Sequence, residues 1–198
     1  MKLGTLAIRG VIGPLFVGHG TQKLFGWFGG HGLEGTSGFF EQGLGLRPGK
    51  RHASAAGVSE ALGGALLTLG ALTPLAAGMI SGTMITAIRK VHASKGPWVT
   101  EGGYEYNAVI LAAMVAISEH GPGPVSVDRA LFPRMKGMGW AMLQLAAATA
   151  GSYLGTEKLN APAPVEAQTA GTPEVVEQEI DEPRFEREQA TAPTTTNA

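Results

Sequence analysis

Residues 61–88 make a run of 28 positions without one ionisable side chain, and any fold for this chain has to bury it. A bilayer's hydrocarbon core is crossed by about 20 apolar helical residues, so the run is too long for one ordinary helix. Thr73 and Pro74 stand near its middle, and proline breaks or restarts a helix because it lacks an N–H and crowds the preceding turn. The run therefore predicts a tight hairpin of two helices, 53–73 and 75–92. Glu60 and Arg89 are the charges nearest its far ends.

Three further apolar stretches accompany it. Residues 3–22 are interrupted only by Arg9 and His19 and continue through Lys23 to Trp27. They are expected to be a retained first span and not a signal peptide, because Arg9 sits where the apolar core should be unbroken and no small-residue cleavage site follows at the right distance. Residues 104–119 give a short fourth segment, whose unbroken core of about 11 residues needs tilt or snorkelling ends to span. Residues 137–156 carry no charge but are rich in Ala and Gly and include Gln144; whether this fifth segment crosses or lies on the surface stays open. Four or five such runs in 155 residues leave almost no polar helix face for water, which disfavours a soluble bundle.

Charge divides the chain in the same way. Residues 156–198 hold nine of the 16 acidic side chains and three of the 15 basic ones. From 157 onward Ala, Pro, Thr, Gln and Glu dominate, a composition that cannot offset chain entropy by burial. The expected fold class is all-α: a transmembrane four-helix bundle over 1–132, an additional apolar helix in 133–156, transmembrane or interfacial, and a disordered acidic C-terminal tail over 157–198 with at most a transient helix near 174–190. The expected location is multi-pass in the cell (cytoplasmic) membrane, with the lipid bilayer as first partner. Orientation is undecided. Lys2, Arg129, Arg134 and Lys136 fall on one side, and Lys23, Arg47, Lys50, Arg51, Lys90 and Lys95 on the other, a split vote under the positive-inside rule.

The absence of cysteine excludes disulfides, thiol catalysis, iron–sulfur clusters and Cys-ligated zinc. A pI near 6.5 and the lack of a basic and aromatic pattern argue against nucleic acid. Function should then lie with the polar groups that a membrane has to tolerate, because an ionisable side chain at that depth is costly and faces inward to a partner. Placing helix midpoints at the bilayer centre brings His19, Glu60 and Arg89 to one height. Lys23 shares a helix face with His19, and His92 with Arg89; Tyr104, Tyr106 and Asn107 open the fourth span at the same surface. The expected pocket is His19, Lys23, Glu60, Arg89, His92, Tyr104 and Asn107, with Glu60 and His19 the candidate catalytic groups.

This pocket reads in two ways. Glu60 and Arg89 form a buried ion pair that fixes helix register while the rest snorkel, or the groups bind the polar head of a quinone, another small acceptor or a small anion, with proton transfer by His19 and Glu60. Arg9 points toward the opposite surface, to snorkel or to reach Glu60. The five histidines do not form a helical His-x-x-x-His pair, and no metal or haem is expected. The aromatic loop LFGWFGGHG, residues 24–32, reads as an interfacial anchor or as a lid over the pocket. The GxxxG spacing of Gly78 and Gly82 suits close helix approach.

Four strings in order, HGTQKLFGWFGGHGLEGTSGFFEQGLG, SEALGGALLTLGALTPLAAG, KGPWVTEGGYEYN and GPGPVSVDRAL, resemble the DoxX family of small bacterial membrane proteins across residues 3–132. The positions that match its motifs are Arg9, His19, Gly20, Lys23, Glu60, Gly63, Gly64, Gly103, Tyr104, Glu105 and Asn107. The resemblance implies a four-helix membrane bundle related to subunits of thiosulfate:quinone oxidoreductases, with a quinone as cofactor and a soluble redox or sulfur-transfer enzyme as partner. The leading expectation is a quinone-linked oxidoreductase subunit. Its alternatives are a non-catalytic membrane anchor, with the acidic tail recruiting the partner, and a small-anion transporter; whether the chain is itself an enzyme, and whether it forms a homo-oligomer, stay open.

Overall fold

The computed structural model describes residues 3–162, whose regular structure is entirely helical. Helix α1 (Leu3–Phe25) leads through the short α2 (Gly32–Gly38) and a π turn, Phe39–Gly43, to α3 (Gly49–Leu69). Helix α4 (Thr73–Ala87) ends in a second π turn, Ile88–His92. After a loop come α5 (Glu105–His120), the single-turn α6 (Val127–Leu131) and α7 (Met138–Tyr153), which ends in a third π turn, Leu154–Lys158.

The expected hairpin is α3 and α4, begun at Gly49 rather than 53 and turned at residues 70–72. Gly70 adopts a left-handed conformation, φ 61°. The N–H groups of Gly70 and Ala71 return to the carbonyls of Leu67 and Leu66 at 3.0 and 2.9 Å, the paired bonds that close a helix before a chain reversal. Pro74 then sits in the first turn of α4, where no N–H is needed.

Arg9 fastens this turn. Its guanidinium donates to the carbonyls of Leu67 (3.1 Å), Thr68 (2.8 Å), Pro122 (2.9 Å) and Val125 (2.6 Å). It is buried and neither snorkels nor reaches Glu60, which corrects both expectations. A cation at the carbonyl end of α3 also complements the helix dipole. Asp128 does the converse at the N-terminus of α4, accepting from the Leu72 and Thr73 N–H groups at 2.7 and 2.8 Å.

Helices α1 and α3 run antiparallel and nearly in backbone contact. Gly13 meets Gly64, and Gly20 meets Gly57. A Cβ added to Gly20 would lie 2.3 Å from the Ala61 nitrogen, and one added to Gly64 would lie 2.6 Å from the Gly13 oxygen. Gly78 and Gly82 serve a looser contact. They face Gln144 and Ala148 of α7, where an added Cβ would find its nearest neighbours at 3.7 and 3.8 Å, ordinary van der Waals distance. The core is filled by Phe16 of α1, Leu67 of α3, Ile80 and Met84 of α4, and Ile110, Met114 and Ile117 of α5.

Helix α7 packs along α4 and α5. Its buried residues, Ala141, Gln144, Ala148, Ser152 and Thr156, recur at helical spacing on one face, so the fifth apolar segment is built into the bundle. No helix among the described residues is by itself long and apolar enough to cross a membrane, in contrast to the expectation of individually spanning segments. The reasons are local: α1 carries Arg9, His19 and Lys23, α3 carries Lys50, Arg51, His52 and Glu60, and α4 and α7 have 15 and 16 residues before their π turns.

Residues 157–162, assigned to the tail from sequence, are attached to the bundle instead. Asn160 accepts from the Arg47 N–H at 2.5 Å and donates to the Gly45 carbonyl at 3.0 Å, while the Ala161 N–H reaches the Arg47 carbonyl at 2.8 Å. The remainder of the expected disordered tail, with its transient helix near 174–190, lies outside the described residues.

Candidate functional site

The close approach of α1 to α3 at Gly20 and Gly57 puts the next turn of α1 beside the middle of α3. There the Lys23 ammonium donates to Glu60 at 2.5 Å. The Glu60 side chain is 7% exposed and that of Lys23 27%. The carboxylate is therefore inside the bundle, and its counter-charge lies between it and the surface. A buried carboxylate is tolerable when paired and hydrogen-bonded, and Lys23 supplies both.

Arg89 is not the partner. It turns to α7, donating to Ser152 at 3.0 Å, Thr156 at 3.1 Å and Glu157 at 2.9 Å, with its guanidinium 3.6 Å from the centre of the Tyr153 ring. Lys90 reaches the same Glu157 oxygen at 2.9 Å. The hydrogen bond and charge of Lys90 hold the Glu157 carboxyl below the usual carboxylate range, helped by bonds from Thr156 and Arg89. The expected Glu60–Arg89 pair is thus replaced by two separate links, Lys23–Glu60 between α1 and α3 and Arg89–Glu157 between the ends of α4 and α7.

A cavity of about 950 Å³ runs among α1, α3, α4, α5 and α7. Of the seven expected pocket residues it brings together five: His19, Lys23, Glu60, His92 and Asn107. Arg89 and Tyr104 are not on its wall; Tyr104 instead leads into α5, its N–H bonded to the Gly96 carbonyl at 3.1 Å. Tyr106 and His52 line it in addition. Asn107 is buried, and its amide donates to the Met84 sulfur at 3.3 Å, a weak acceptor. His92 Nδ1 lies 2.6 Å from the Gly102 carbonyl. That oxygen can only accept, so Nδ1 bears the proton and, in the neutral ring, Nε2 keeps its lone pair. His19, one helical turn before Lys23, is exposed at its outer edge.

The aromatic loop does not cover this cavity. Phe25, Trp27 and Phe28 project outward, 62%, 57% and 76% exposed, and none lines the wall. Aromatic rings do line it, but from other elements: Phe16, Tyr106, Trp140, and Phe39 and Phe40 of the π turn after α2. The lid reading is therefore replaced by an outward aromatic cluster, with Phe25 and Trp27 5.4 Å apart.

Sequence reasoning also missed what α7 contributes. Gln144, Ser152 and Thr156 all reach the cavity wall. Their spacing in steps of four, with Ala148 between, is a visible sign that 137–156 turns one polar stripe toward its neighbours. Among the described residues no group of three or more His, Asp or Glu is placed to hold a metal ion.

No curated protein and no solved structure matches the chain. The family model described as DoxX matches residues 4–93, which stops short of the 3–132 that the resemblance covered and leaves out α5 and α7. Within that match lie Arg9, the glycines of the α1–α3 contact and the Lys23–Glu60 pair, and by it residues 4–93 are a DoxX domain.

Proposed function

We propose that this protein is a multi-pass protein of the cytoplasmic membrane whose cavity binds the head group of a quinone, in the role of a quinone-linked oxidoreductase subunit. The observation that carries the reading is the Lys23–Glu60 pair set in the wall of a 950 Å³ cavity. The membrane placement is supported by the outside of the bundle. Leu3 and Val11 of α1, Val58, Leu62 and Leu69 of α3, Val109 of α5 and Met142 of α7 are all about half exposed or more. Large apolar side chains facing outward around buried charges suit lipid rather than water. The π turns matter here as well. With them α4 and α7 reach Lys90 and Lys158, cations that lie at a headgroup surface in this reading.

The donor set fits the head group of a quinone. Lys23 offers N–H donors to a carbonyl oxygen, Asn107 has an amide held only by a thioether, and Phe16, Leu46, Met79 and Ile110 provide apolar wall. A bound quinone supplies two-electron chemistry coupled to protons. This chain's part is to hold the head group and move the protons. Glu60 is the buried proton acceptor, Lys23 sets its charge balance, and the exposed His19, one turn away, connects the pair to the surface.

The test is mass spectrometry of small molecules retained by the detergent-purified protein, comparing wild type with Glu60→Gln. Quinone retained by wild type and lost from a folded Glu60→Gln protein is the expected result. Absence of quinone from both refutes the reading and leaves an anchoring role for a soluble redox enzyme.

A further inference from the structure

Gln144 is the buried group that the Lys23–Glu60 site does not use. It is 4% exposed, and neither atom of its amide, Nε2 or Oε1, has a hydrogen-bond partner within the chain or access to water. An amide left so in an apolar interior is costly, about 1 to 3 kcal/mol for each unpaired group. The residue lies on the cavity wall, on α7 opposite Gly78 of α4, whose missing side chain leaves room for it. Its wall neighbours, Leu75, Met79, Trp140, Leu143 and Ala147, carry no ionisable group. Glu60 lies nine residues before the end of α3, while Gly78 lies five after the start of α4. By helix rise, Gln144 is about 6 Å nearer the hairpin turn than the charged pair.

We infer that Gln144 reads the redox state of the ligand, favouring the quinol over the quinone. The inference rests on the quinone reading above and adds a specificity-determining residue from outside the family match. A primary amide presents a donor and an acceptor side by side. Once the side chain turns its amide from this buried position into the cavity, a quinol hydroxyl can donate to Oε1 and accept from Nε2, so it satisfies both. A quinone carbonyl accepts from Nε2 alone and leaves Oε1 buried without a donor. The Trp140 indole, one turn earlier on the same wall, carries an N–H but makes no hydrogen bond to Oε1. Release of the amide from its unpaired state thus depends on the hydroxyl proton. The preference expected from one buried acceptor satisfied or not is about tenfold in affinity.

The experiment is anaerobic calorimetry of the full chain in detergent with a short-chain quinone in its oxidised and reduced forms, for wild type, Gln144→Met and Glu60→Gln. Methionine keeps an unbranched side chain of similar length and removes both polar atoms, and thermal unfolding of each variant establishes that it is folded. Wild type should bind the reduced form about tenfold tighter. Gln144→Met should bring the ratio to about one by weakening the quinol, which loses two bonds, more than the quinone, which loses one. Equal affinities in wild type, or a ratio unchanged in Gln144→Met, overturns the inference while the quinone reading stands, provided both forms bind wild type and are lost in Glu60→Gln. Binding of neither form to wild type removes the quinone reading and this inference with it.

Discussion

Replacing Arg9 by Met tests whether this residue clamps the α3–α4 turn or rests at a membrane surface. Its four carbonyl partners divide into two classes. The bonds to Leu67 and Pro122 are buried, while those to Thr68 and Val125 are partly so. On losing the guanidinium, the partly buried oxygens find water and the Leu67 carbonyl keeps its bond from the Gly70 N–H, so the buried Pro122 carbonyl is the acceptor left unpaired, at about 1 to 3 kcal/mol. The lost bonds from a charged donor add to this and relief from desolvating the charge offsets part of it, giving an expected loss of about 2 kcal/mol. Arg9→Lys should fall between, since a point-like ammonium with three donors cannot serve four carbonyls as a planar five-donor fork does. The assay is reversible unfolding in mixed micelles, followed by circular dichroism. A snorkelling arginine predicts the opposite sign or no effect, because its removal takes away a polar group from an apolar helix. A change in stability below about 1 kcal/mol, or a gain, would refute the clamp.

The two glycine contacts should respond differently to the same substitution. Gly20→Ala puts a methyl 2.3 Å from the α3 backbone and should cost about 1 to 3 kcal/mol or more by forcing α1 and α3 apart, whereas Gly78→Ala, with 3.7 Å available, should be neutral or slightly stabilising through helix propensity; unfolding midpoints of the pair check this. The Arg89–Lys90–Glu157 link should weaken with acid. Because the folded carboxyl titrates below the ordinary glutamate value of 4.5, its contribution is present above that value and is lost as pH falls through the lower folded one. Amide exchange at 152–158 measured against pH should rise in that window for wild type, and Glu157→Gln should remove the pH dependence; equal profiles for the two proteins would show that the link holds nothing.

The hairpin, the helical character and the shared level of His19, Lys23, Glu60, His92 and Asn107 were readable because they follow from local rules: charge-free length, a proline and helix rise. Partner choice was not. Glu60 faces both Lys23 and Arg89 across possible helix pairs, and height alone does not separate them. What separates them is the glycine contact between α1 and α3, whose spacing of seven, Gly13 to Gly20 and Gly57 to Gly64, only gains meaning once the two helices are known to run antiparallel. Arg9 was misread for a related reason. Sequence gives its depth, but its acceptors are backbone carbonyls of the 70–72 turn and the 122–125 loop, which no side-chain pattern announces. Helix α7 could have been placed better, since Gln144, Ser152 and Thr156 already mark an inward face.

The division of labour in the cavity follows from where the family match ends. Residues 4–93 hold both members of the charged pair and the glycines that force them together, so the electrostatic half of the site is fixed by the matched segment alone. The neutral half comes from beyond it: Trp140, Leu143, Gln144 and Ser152 form the wall that faces Gly78 and Gly82 of α4. Those two glycines are the join. An added Cβ at either would sit at ordinary van der Waals distance from α7, so a methyl is tolerated there, while a larger side chain would push α7 and Gln144 away from α4. A bundle of this kind can keep its Lys23–Glu60 chemistry constant while changes on α7 alter what fits beside it, because the two halves share a cavity and not a covalent element.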